Sequence, residues 1–417
     1  MRIAGWLHHQ RKLARVSFVL VRDGRGVAQV VIEDEAVRES VGAMLPETVI
    51  EVIGTAVASE QAPGGVEVHS AEVRVVSEPV VAPPFELRRP QIDAHLPTIL
   101  DNAAVALRHP RHRAVARVAA ASLAGFRSTL DALGYVEINT PKIVGSATES
   151  GANVFPIDYF GRKAFLAQSP QLYKQTMVGV FERVYETAPV FRAEPHDTVR
   201  HLAQYLSLDA ELGFIDDHRD VARVVRDVIA GMVESMSSRA ADALALLGVA
   251  AVVVPGEIPM LHFADAQRMI EDATGERVVG EPDLAPAHER WLGEWAMREH
   301  GSDFVFVEGY PMVKRPFYTH PDPARPEFSN SFDLLFRGLE LVTGGQRLHR
   351  YADYVEAAGR AGVSLDSIDG YLAAFRHGMP PHGGFAIGLE RWVARMVGAS
   401  NVREVTLFPR DVNRLSP

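Results

Sequence analysis

Short runs of alternating apolar and polar residues occupy roughly the first eighty positions of the chain. Two of them, "VSFVLVRD" and "VAQVVIED", are rich in β-branched residues and flank the sequence Asp23-Gly24-Arg25-Gly26, which is typical of a hairpin. Two further runs, "VIEVIGTAVAS" and "VEVHSAEVRVVS", are separated by the turn sequence Ala62-Pro63-Gly64-Gly65. Five or so short strands of this kind predict a small barrel, although a fragment of a β-sandwich would give the same pattern.

The pattern changes after this region. The proline-rich "EPVVAPPFELRRP" predicts an extended linker, and the basic "RHPRHR" at 108–113 either contacts RNA or is a solvated helix start. The apolar residues of "VARVAAASLAGFRSTLDALGY" then recur at helical spacing up to Gly134, and "VEINTPKIV" predicts a strand. We therefore expect a β domain at 1–84, a linker at 85–112 and a larger α+β domain at 113–417.

Composition narrows the classes of function. The 417 residues include no cysteine, which excludes disulfides, thiolate metal sites and cysteine nucleophiles. No apolar run is long enough for a membrane span, and the first residues lack a secretory pattern, so we expect a cytoplasmic protein. The net charge of -10 means that any RNA must bind to local basic patches.

The first of four polar stretches in the larger domain is "AFLAQSPQLYKQTMV". It places Gln168, Gln171 and Lys174 at a junction between a strand and a helix. These residues either face a ligand or belong to a capped helix with a solvated lysine.

The second stretch predicts a hairpin. The strand "YETAPVF" leads to Arg192 and Glu194, a polar turn carries Arg200 and His201, and "YLSLDAELGFI" returns as a second strand. Two arginines, a histidine and a carboxylate that converge in this way suit a triphosphate, because guanidinium groups pair with phosphate oxygens. A surface lattice of ion pairs is the alternative.

The third stretch is "FSNSFDLLFRGLELVTGGQRLHR", in which Asp333 and Glu340 lie seven positions apart in a strand-like region. Two carboxylates near a nucleotide are candidate ligands of Mg²⁺, and the alternative is a pair of partly buried acids held by arginines. Arg347 follows Gly344-Gly345, which we interpret as a turn.

The fourth stretch, "HGGFAIGLERWVARMVG", predicts a glycine-rich strand that enters a helix with Arg391 in its first turns. Glycines allow a ligand to approach the backbone closely. The chain contains neither a Walker phosphate loop nor a Rossmann glycine motif.

Together these stretches resemble the class II aminoacyl-tRNA synthetases, and most closely the aspartyl enzymes of archaeal type. "FRAEPHDTVRHL" is similar to the second signature of that family, "GFAIGLER" to the third, and "GYVEINTPKIV", with Pro141, to the first, which lies at the family's dimer interface. "QSPQLYKQ", "RPFYTH" and "NVREVTLFPRDVNRLSP" are similar to the aspartyl enzymes in particular. The resemblance covers essentially the whole chain. It implies an α+β protein with an OB-fold anticodon-binding barrel, followed by a catalytic domain built on an antiparallel sheet flanked by helices.

The resemblance also implies an ATP site, with catalytic roles for two arginines. Its members would be Arg192, Glu194, Arg200, His201, Tyr205, Glu340 and Arg391. Arg192 would hold the α-phosphate, with Arg200 and His201 on the outer phosphates. Tyr205 and Arg391 would enclose the adenine, and Glu194 would lie on its side. Gln204 departs from the family, because relatives usually have Glu there.

The same resemblance implies a site for L-aspartate and one for Mg²⁺. Gln171 would contact the amino acid, and Lys174 and Arg347 would grip its side-chain carboxylate. Glu149 would belong to a mobile loop that closes over it. The ligands of Mg²⁺ would be Asp333, Glu340 and Thr343.

In the barrel, the resemblance implies contacts to the tRNA anticodon. Phe18 would stack on a base, Gln29 would recognise the middle uridine and Arg11 would contact the backbone, although Phe18 is otherwise a core residue. Family members that discriminate tRNA-Asp from tRNA-Asn carry Trp at the position of His8 and Lys near Pro83 or Pro84. His and Pro at these sites imply charging of both tRNAs, unless His8 is a solvated strand residue and selectivity lies elsewhere.

The resemblance thus implies an aspartate–tRNA ligase that forms a homodimer. Three other functions are alternatives to it. Asparaginyl enzymes lack a lysine at the position of Lys174, since their substrate side chain is neutral. Paralogues that form free asparagine lack the anticodon domain. Catalytically silent RNA-binding paralogues usually lose the arginines that match Arg192 and Arg391.

Overall fold

Residues 1–145, 153–195 and 197–416 are described by the computed structural model. The chain divides into two compact units, Met1–Arg113 and Ala114–Ser416. No helix in the described ranges is both long and apolar enough to cross a membrane.

The first unit contains a closed five-stranded barrel, as predicted, with strand order β1-β2-β3-β5-β4. Its elements are β1 (Arg2–Lys12), β2 (Ser17–Arg22), β3 (Val27–Ile32), α1 (Glu35–Gly42), β4 (Val49–Ala58) and β5 (Val66–Ser77). Alternate residues such as Val19, Val21 and Val30 point inward and form its core. The predicted hairpin joins β2 to β3, where the Asp23 carboxylate accepts backbone N–H bonds from Arg25 and Gly26 at 2.7 and 2.8 Å.

Three helices follow the barrel: α2 (Leu96–Asp101), α3 (Ala103–Ala106) and α4 (Pro110–Ala132). The helix α4 begins inside the basic "RHPRHR" sequence, because proline at a first helical position loses no helical hydrogen bond. The helix ends just before Gly134, whose φ of 78° favours glycine.

The second unit is built on two sheets. Its strands are β6 (Val136–Glu137), β7 (Ile143–Val144), β8 (Pro156–Tyr159), β9 (Arg162–Leu166), β10 (Arg183–Phe191), β11 (Gln204–Gly213), β12 (Met260–His262), β13 (Phe304–Glu308), β14 (Ser331–Phe336), β15 (Glu340–Gln346) and β16 (His382–Gly388). The larger sheet has the order β12-β13-β14-β15-β16-β11-β10-β6, and β7, β9 and β8 form the smaller one. Within the larger sheet, the two outermost pairs of described strands, β12–β13 and β10–β6, are parallel and the other pairs are antiparallel. The single strand predicted for "VEINTPKIV" is therefore wrong, since β6 and β7 belong to different sheets and Pro141 between them has no N–H to donate.

Helices flank this sheet and enclose the core. They are α5 (Gln171–Phe181), α6 (His218–Arg239), α7 (Ala241–Leu247), α8 (Phe263–Thr274), α9 (Pro286–His300), α10 (Tyr351–Ala361), α11 (Asp369–Arg376) and α12 (Leu389–Val397). One sheet face packs on α4, α6 and α12, with Phe126, Met232 and Trp392 fully buried there. The Trp392 indole N–H donates to Ser122 Oγ at 2.9 Å and so ties α12 to α4. The opposite face of the sheet packs on α8 and α9 at β13 and β14, where Val305, Val307 and Leu335 are buried. On β11 and β15 the same face carries polar residues.

Candidate active site

A cavity of about 630 Å³ lies on the polar face of the large sheet. Eleven residues that the sequence singled out line it: Gln171, Lys174, Arg192, Glu194, Arg200, His201, Tyr205, Glu340, Thr343, Arg347 and Arg391. Residues from motifs far apart in the chain therefore meet in one space. Glu149 lies outside the described residues.

Strand β11 supplies side chains to both the core and the cavity. Leu208 and Ala210 point into the main core, whereas Ser207 and Asp209 line the cavity. Ser207 Oγ donates to Asp209 Oδ2 at 2.5 Å. Neither residue was predicted from the sequence, because the alternation of "SLDAELG" defines two faces without showing which one lies in the core.

Four buried charges meet at the closed end of the cavity. Lys174 Nζ lies 3.0 Å from Asp209 Oδ1, 3.3 Å from Glu211 Oε2 and 3.2 Å from the Phe385 carbonyl oxygen. Arg347 Nε donates to Glu211 Oε1 at 3.0 Å, and its Nη2 donates to the Gly384 carbonyl at 3.0 Å. Burial disfavours the charged form of Glu211, but Arg347 and Lys174 hold the pKa of that carboxyl below its ordinary value. Lys174 is 1% exposed, so the alternative of a solvated lysine is wrong.

The turn predicted at Gly344-Gly345 is also wrong, because both glycines lie within β15. A Cβ on Gly344 would lie 2.5 Å from the Phe332 ring, and one on Gly345 would lie 2.7 Å from the Asn330 carbonyl oxygen. The glycines therefore permit close packing between strands rather than a change of direction. Arg347 follows directly at the end of the strand and reaches the cavity floor.

The other end of the cavity carries the residues expected around ATP. The Arg192 guanidinium lies 5.7 Å from the centre of the Tyr205 ring. Arg391 Nη1 donates to the backbone oxygen of Glu340 at 3.3 Å and lies 3.4 Å from its Oε1. Both oxygens of the Glu390 carboxylate accept from the Leu206 N–H at 3.1 Å, which ties α12 to β11. Burial raises the pKa of Glu390 to about 7.

An arginine from the end of the chain fixes the turn between β10 and β11. Arg403 Nη2 lies 2.7 Å from Asp197 Oδ1, and its Nη1 donates to the Thr198 carbonyl at 3.0 Å. Arg403 Nε also lies 2.5 Å from Asp411 Oδ2. The turn that carries Arg200 is thus held by residues that were not predicted from the sequence.

The proposed Mg²⁺ ligands lie on two adjacent strands. Asp333 on β14 pairs in register with Thr343 on β15, and Thr343 Oγ1 donates to Glu340 Oε1 at 3.3 Å. Asp333 accepts two bonds from Arg315 Nη2, at 3.2 and 3.1 Å, and does not line the cavity. Burial, and to a lesser extent the Glu340 charge, raises the pKa of Asp333 to about 6.

These residues fit a divalent cation only in part. Two carboxylates and a hydroxyl offer the hard oxygen ligands that Mg²⁺ prefers, but Asp333 is paired with Arg315 and lies outside the cavity lining. Within the described ranges no cluster of three or more Asp, Glu, His or Cys could hold a metal. The set therefore suits a Mg²⁺ ion that phosphate oxygens also bind, rather than an ion held by protein alone.

The residues expected to contact the anticodon lie on the outer face of the barrel. Phe18 pairs in register with Arg11 of β1 and Val31 of β3, is partly exposed, and points away from the core that Val19 enters. Gln29 on β3 donates to Glu67 Oε1 at 2.7 Å. Pro83 follows in an irregular, partly exposed segment.

His8 lies where the register of β1 shifts between Leu7 and His9. Its Nδ1 is 3.2 Å from Arg22 Nη1, and Arg22 forms a two-bond ion pair with Glu47 at 2.8 and 2.7 Å. Burial and the Arg22 charge lower the pKa of His8 to about 4, so the ring is neutral at pH 7. The alternative of a solvated strand residue is wrong, because His8 is half-buried and hydrogen-bonded.

Comparisons with known proteins agree with this geometry. Residues 95–412 match the family of tRNA synthetases class II (D, K and N), and residues 1–76 match the OB-fold nucleic acid binding domain. The chain is 46% identical over 415 residues to the aspartate–tRNA(Asp/Asn) ligase of Thermus thermophilus, covering 100% of this chain and 96% of that protein. It is 42% identical over 426 residues to the ligase of the same name from Aeropyrum pernix, covering 100% and 95%.

Solved structures of aminoacyl-tRNA synthetases share the fold of this chain. The asparaginyl-tRNA synthetase of Pyrococcus horikoshii complexed with asparaginyl-adenylate superposes with a TM-score of 0.93 at 29% identity, covering 100% of this chain and 96% of that one. The aspartyl tRNA synthetase from Entamoeba histolytica gives a TM-score of 0.89 at 28% identity, covering 100% and 89%. The fold is therefore common to aspartyl and asparaginyl enzymes, and side chains must decide between them.

Proposed function

The chain belongs to the class II aminoacyl-tRNA synthetases of the aspartyl, lysyl and asparaginyl group, and on this premise we propose that it joins L-aspartate to tRNA using ATP. It is a ligase that forms aminoacyl-tRNA. The observation that carries the choice of aspartate is the pair of cations, Lys174 and Arg347, at the closed end of the cavity.

The two cations differ in what they can offer a substrate. A lysine ammonium has three N–H groups, and Lys174 has three oxygen neighbours already, on Asp209, Glu211 and Phe385. Arg347 has five N–H groups and uses one each from Nε and Nη2 in the hydrogen bonds described above. Arg347 is therefore proposed to bind the aspartate side-chain carboxylate directly. Lys174 is proposed to supply charge and to exchange one internal partner for the substrate.

Adenylate formation is then a matter of positioning and charge. An oxygen of the aspartate α-carboxylate attacks the α-phosphorus of ATP, and the bond to pyrophosphate breaks. Arg192 is proposed to neutralise charge on the α-phosphate, while Tyr205 and Arg391 enclose the adenine. The 3′-hydroxyl of the terminal tRNA ribose next attacks the carbonyl carbon of the mixed anhydride, and AMP leaves. No protein general base is assigned.

A divalent cation, Mg²⁺, is proposed to be held by Asp333, Glu340 and Thr343 together with phosphate oxygens. When bound, it would neutralise charge on the ATP phosphates. Glu340 is well placed for this, because Arg391 holds its backbone oxygen and Thr343 its side chain.

The barrel is proposed to bind the anticodon through Phe18, Gln29 and Arg11, which lie on its outer face. We propose that both tRNA-Asp and tRNA-Asn are charged, since neither His8 nor Pro83 is the Trp or Lys that the discriminating relatives carry. The names of the Thermus and Aeropyrum relatives, which include both tRNAs, support this.

We also propose a homodimer that works in the cytoplasm, where ATP and tRNA occur. The dimer is supported by exposed apolar side chains around the first signature and near it in the fold: Val136, Ile143, Phe160, Phe181 and Phe214. Exposed apolar side chains that gather in one region commonly mark an interface between proteins.

Parallel charging reactions test the proposal. Purified protein is given ATP and radiolabelled aspartate or asparagine, with tRNA-Asp and tRNA-Asn in separate reactions. Aspartate on both tRNAs is the expected result. Aspartate on tRNA-Asp alone would leave a strictly specific enzyme, and asparagine as the product would show an asparaginyl enzyme.

A further inference from the structure

Four buried polar side chains lie beneath Gln171, and no step of the proposed reaction uses them. They are Gln175 on α5, Tyr354 on α10, Tyr371 on α11 and His382 on β16. Buried polar groups without partners are costly, so a cluster of this size must be internally satisfied. Each of the four has partners within the cluster.

Gln175 is the centre of this cluster. Its Nε2 lies 3.0 Å from the Tyr354 hydroxyl and 3.0 Å from His382 Nε2. Its Oε1 lies 3.1 Å from the Tyr371 hydroxyl and 3.0 Å from Gln171 Nε2. The Tyr354 and Tyr371 hydroxyls are themselves 2.8 Å apart.

The ring of His382 decides which way these bonds run. Its Nδ1 lies 2.9 Å from the Pro380 carbonyl oxygen, which can only accept, so Nδ1 carries a proton. Burial lowers the pKa of His382 to about 4, so the ring is neutral at pH 7 and Nε2 has no proton. Nε2 must therefore accept, and among the described residues the amide nitrogen of Gln175 is the group in place to donate to it.

The direction of these hydrogen bonds also fixes the Gln171 amide at the cavity. With its nitrogen directed at His382 and Tyr354, Gln175 turns its oxygen toward Gln171, and the Gln171 amide nitrogen donates to that oxygen. The remaining polar atom of the Gln171 side chain is its oxygen, and Gln171 lines the cavity. The orientation of this amide thus follows from the hydrogen bonds rather than from the placement of its atoms alone.

We propose that His382 and Gln175 are positioning residues that fix the Gln171 amide with its oxygen toward the cavity, where it accepts a hydrogen bond from the α-ammonium group of the amino acid. This rests on the proposed function for the identity of the substrate. The reversed amide would direct an N–H group at a cation and would repel it. A neutral His382 protonated on Nδ1 therefore selects the orientation that binds an amino acid.

The tautomer of His382 can be measured without any activity. Full-length protein labelled with ¹⁵N-histidine is examined by long-range ¹H–¹⁵N correlation at pH 7, and the His382 signals are assigned by their loss in His382→Gln. A neutral ring protonated on Nδ1 is expected. A ring protonated on Nε2, or an imidazolium, would overturn the proposal whether or not the protein activates aspartate.

Kinetics of the pyrophosphate exchange then test the positioning role. His382→Phe keeps an aromatic ring against Phe375 but removes the acceptor, whereas His382→Gln places an amide oxygen near the original Nε2. The KM for aspartate should rise about tenfold or more in His382→Phe and less than about threefold in His382→Gln. Only His382→Phe removes the acceptor that orients Gln175, and with it the orientation in which the Gln171 oxygen accepts from the substrate ammonium group. The KM for ATP should stay within about twofold of the wild-type value in both.

Thr176→Val is the matched control on the same helix, since Thr176 Oγ1 bonds only within α5, to the Leu172 carbonyl. An unchanged KM for aspartate in His382→Phe, or equal rises in the KM for aspartate and for ATP, would overturn the positioning role. If His382→Phe does not fold, Gln175→Met provides the same comparison. Absence of aspartate-dependent exchange in the wild type would instead refute the proposed function and leave the tautomer result standing.

Discussion

Lys174 and Arg347 lie against opposite oxygens of one buried carboxylate, that of Glu211. Lys174 Nζ is 3.3 Å from Oε2, and Arg347 Nε is 3.0 Å from Oε1. Together with Asp209 they form two positive and two negative charges that balance inside the protein. The network orients both cations before a substrate arrives, as a site for a carboxylate requires.

Replacing Lys174 by Met should therefore impair aspartate activation and stability together. It leaves Asp209 and Glu211 with one cation fewer. The fall in kcat/KM for aspartate should correspond to a loss of about 3 kcal/mol or more in transition-state stabilisation. Pyrophosphate exchange measures the activity and thermal unfolding measures the fold. Lys163→Met, at an exposed position of β9, controls for the change of residue type. If kcat/KM for aspartate were unchanged in Lys174→Met, Lys174 would not belong to the aspartate site.

Arg192→Ala and Arg391→Ala should each slow adenylate formation by a factor equivalent to about 3–4 kcal/mol in the activation free energy, because each removes a charge proposed to lie against the ATP phosphates or the adenine. Both variants should remain folded, as judged by circular dichroism and size-exclusion chromatography. Arg360→Ala, which affects only an exposed ion pair with Glu356, serves as the control. Near-normal exchange in either cavity variant would assign that arginine a structural role.

Glu390 should make stability depend on pH. Burial raises its pKa from 4.5 to about 7, so the folded protein binds the proton more tightly than the unfolded chain does. This contribution is fully present below about pH 4.5 and is lost as the pH rises through about 7. In Glu390→Gln the amide stays neutral at every pH. The free energy of unfolding of this variant should therefore rise by about 1–3 kcal/mol relative to that of the wild type between pH 5 and pH 8. Denaturant unfolding at several pH values measures this, and parallel curves for the two proteins would contradict the assignment.

The barrel should set tRNA selectivity. The anticodons of tRNA-Asp and tRNA-Asn differ only at their third letter. Because the discriminating relatives carry Trp at the position of His8, His8→Trp should raise the preference for tRNA-Asp. A base contact supplies about 1–3 kcal/mol of such discrimination. His8 is half-buried beside Arg22, so thermal unfolding must accompany the kinetics. His9→Trp, one residue away on the same strand, is the control. A wild-type preference for tRNA-Asp of about a hundredfold or more would contradict dual charging.

Much of the site was open to prediction because its residues lie in regular patterns. Gln171 and Lys174 are three positions apart on one helix, and the two sides of the β10–β11 hairpin were recognisable. Asp209 and Glu211 were not assigned, since alternation along β11 gives two faces without saying which is the core. Glycines inside β15 resemble a turn when the strand that packs on them is unknown.

Other contacts depend on partners distant in sequence. The pairing of Arg315 with Asp333 joins an irregular segment to β14, and no spacing along the chain indicates it. The grip of Arg403 on Asp197 spans more than half of the second unit's length in sequence. The Gln175 network needed coordinates as well, because the polarity of an amide is fixed by neighbours on three other elements.

This cavity is proposed to activate aspartate. ATP–pyrophosphate exchange of the wild-type protein, with aspartate and with asparagine in separate reactions without tRNA, measures that activation. We predict exchange that depends on aspartate and is at least about a hundredfold weaker with asparagine, because a neutral side chain cannot form the charged hydrogen bonds that a carboxylate forms with Arg347. Equal or faster exchange with asparagine, or none with aspartate, would contradict the assignment of Lys174 and Arg347 to the substrate carboxylate.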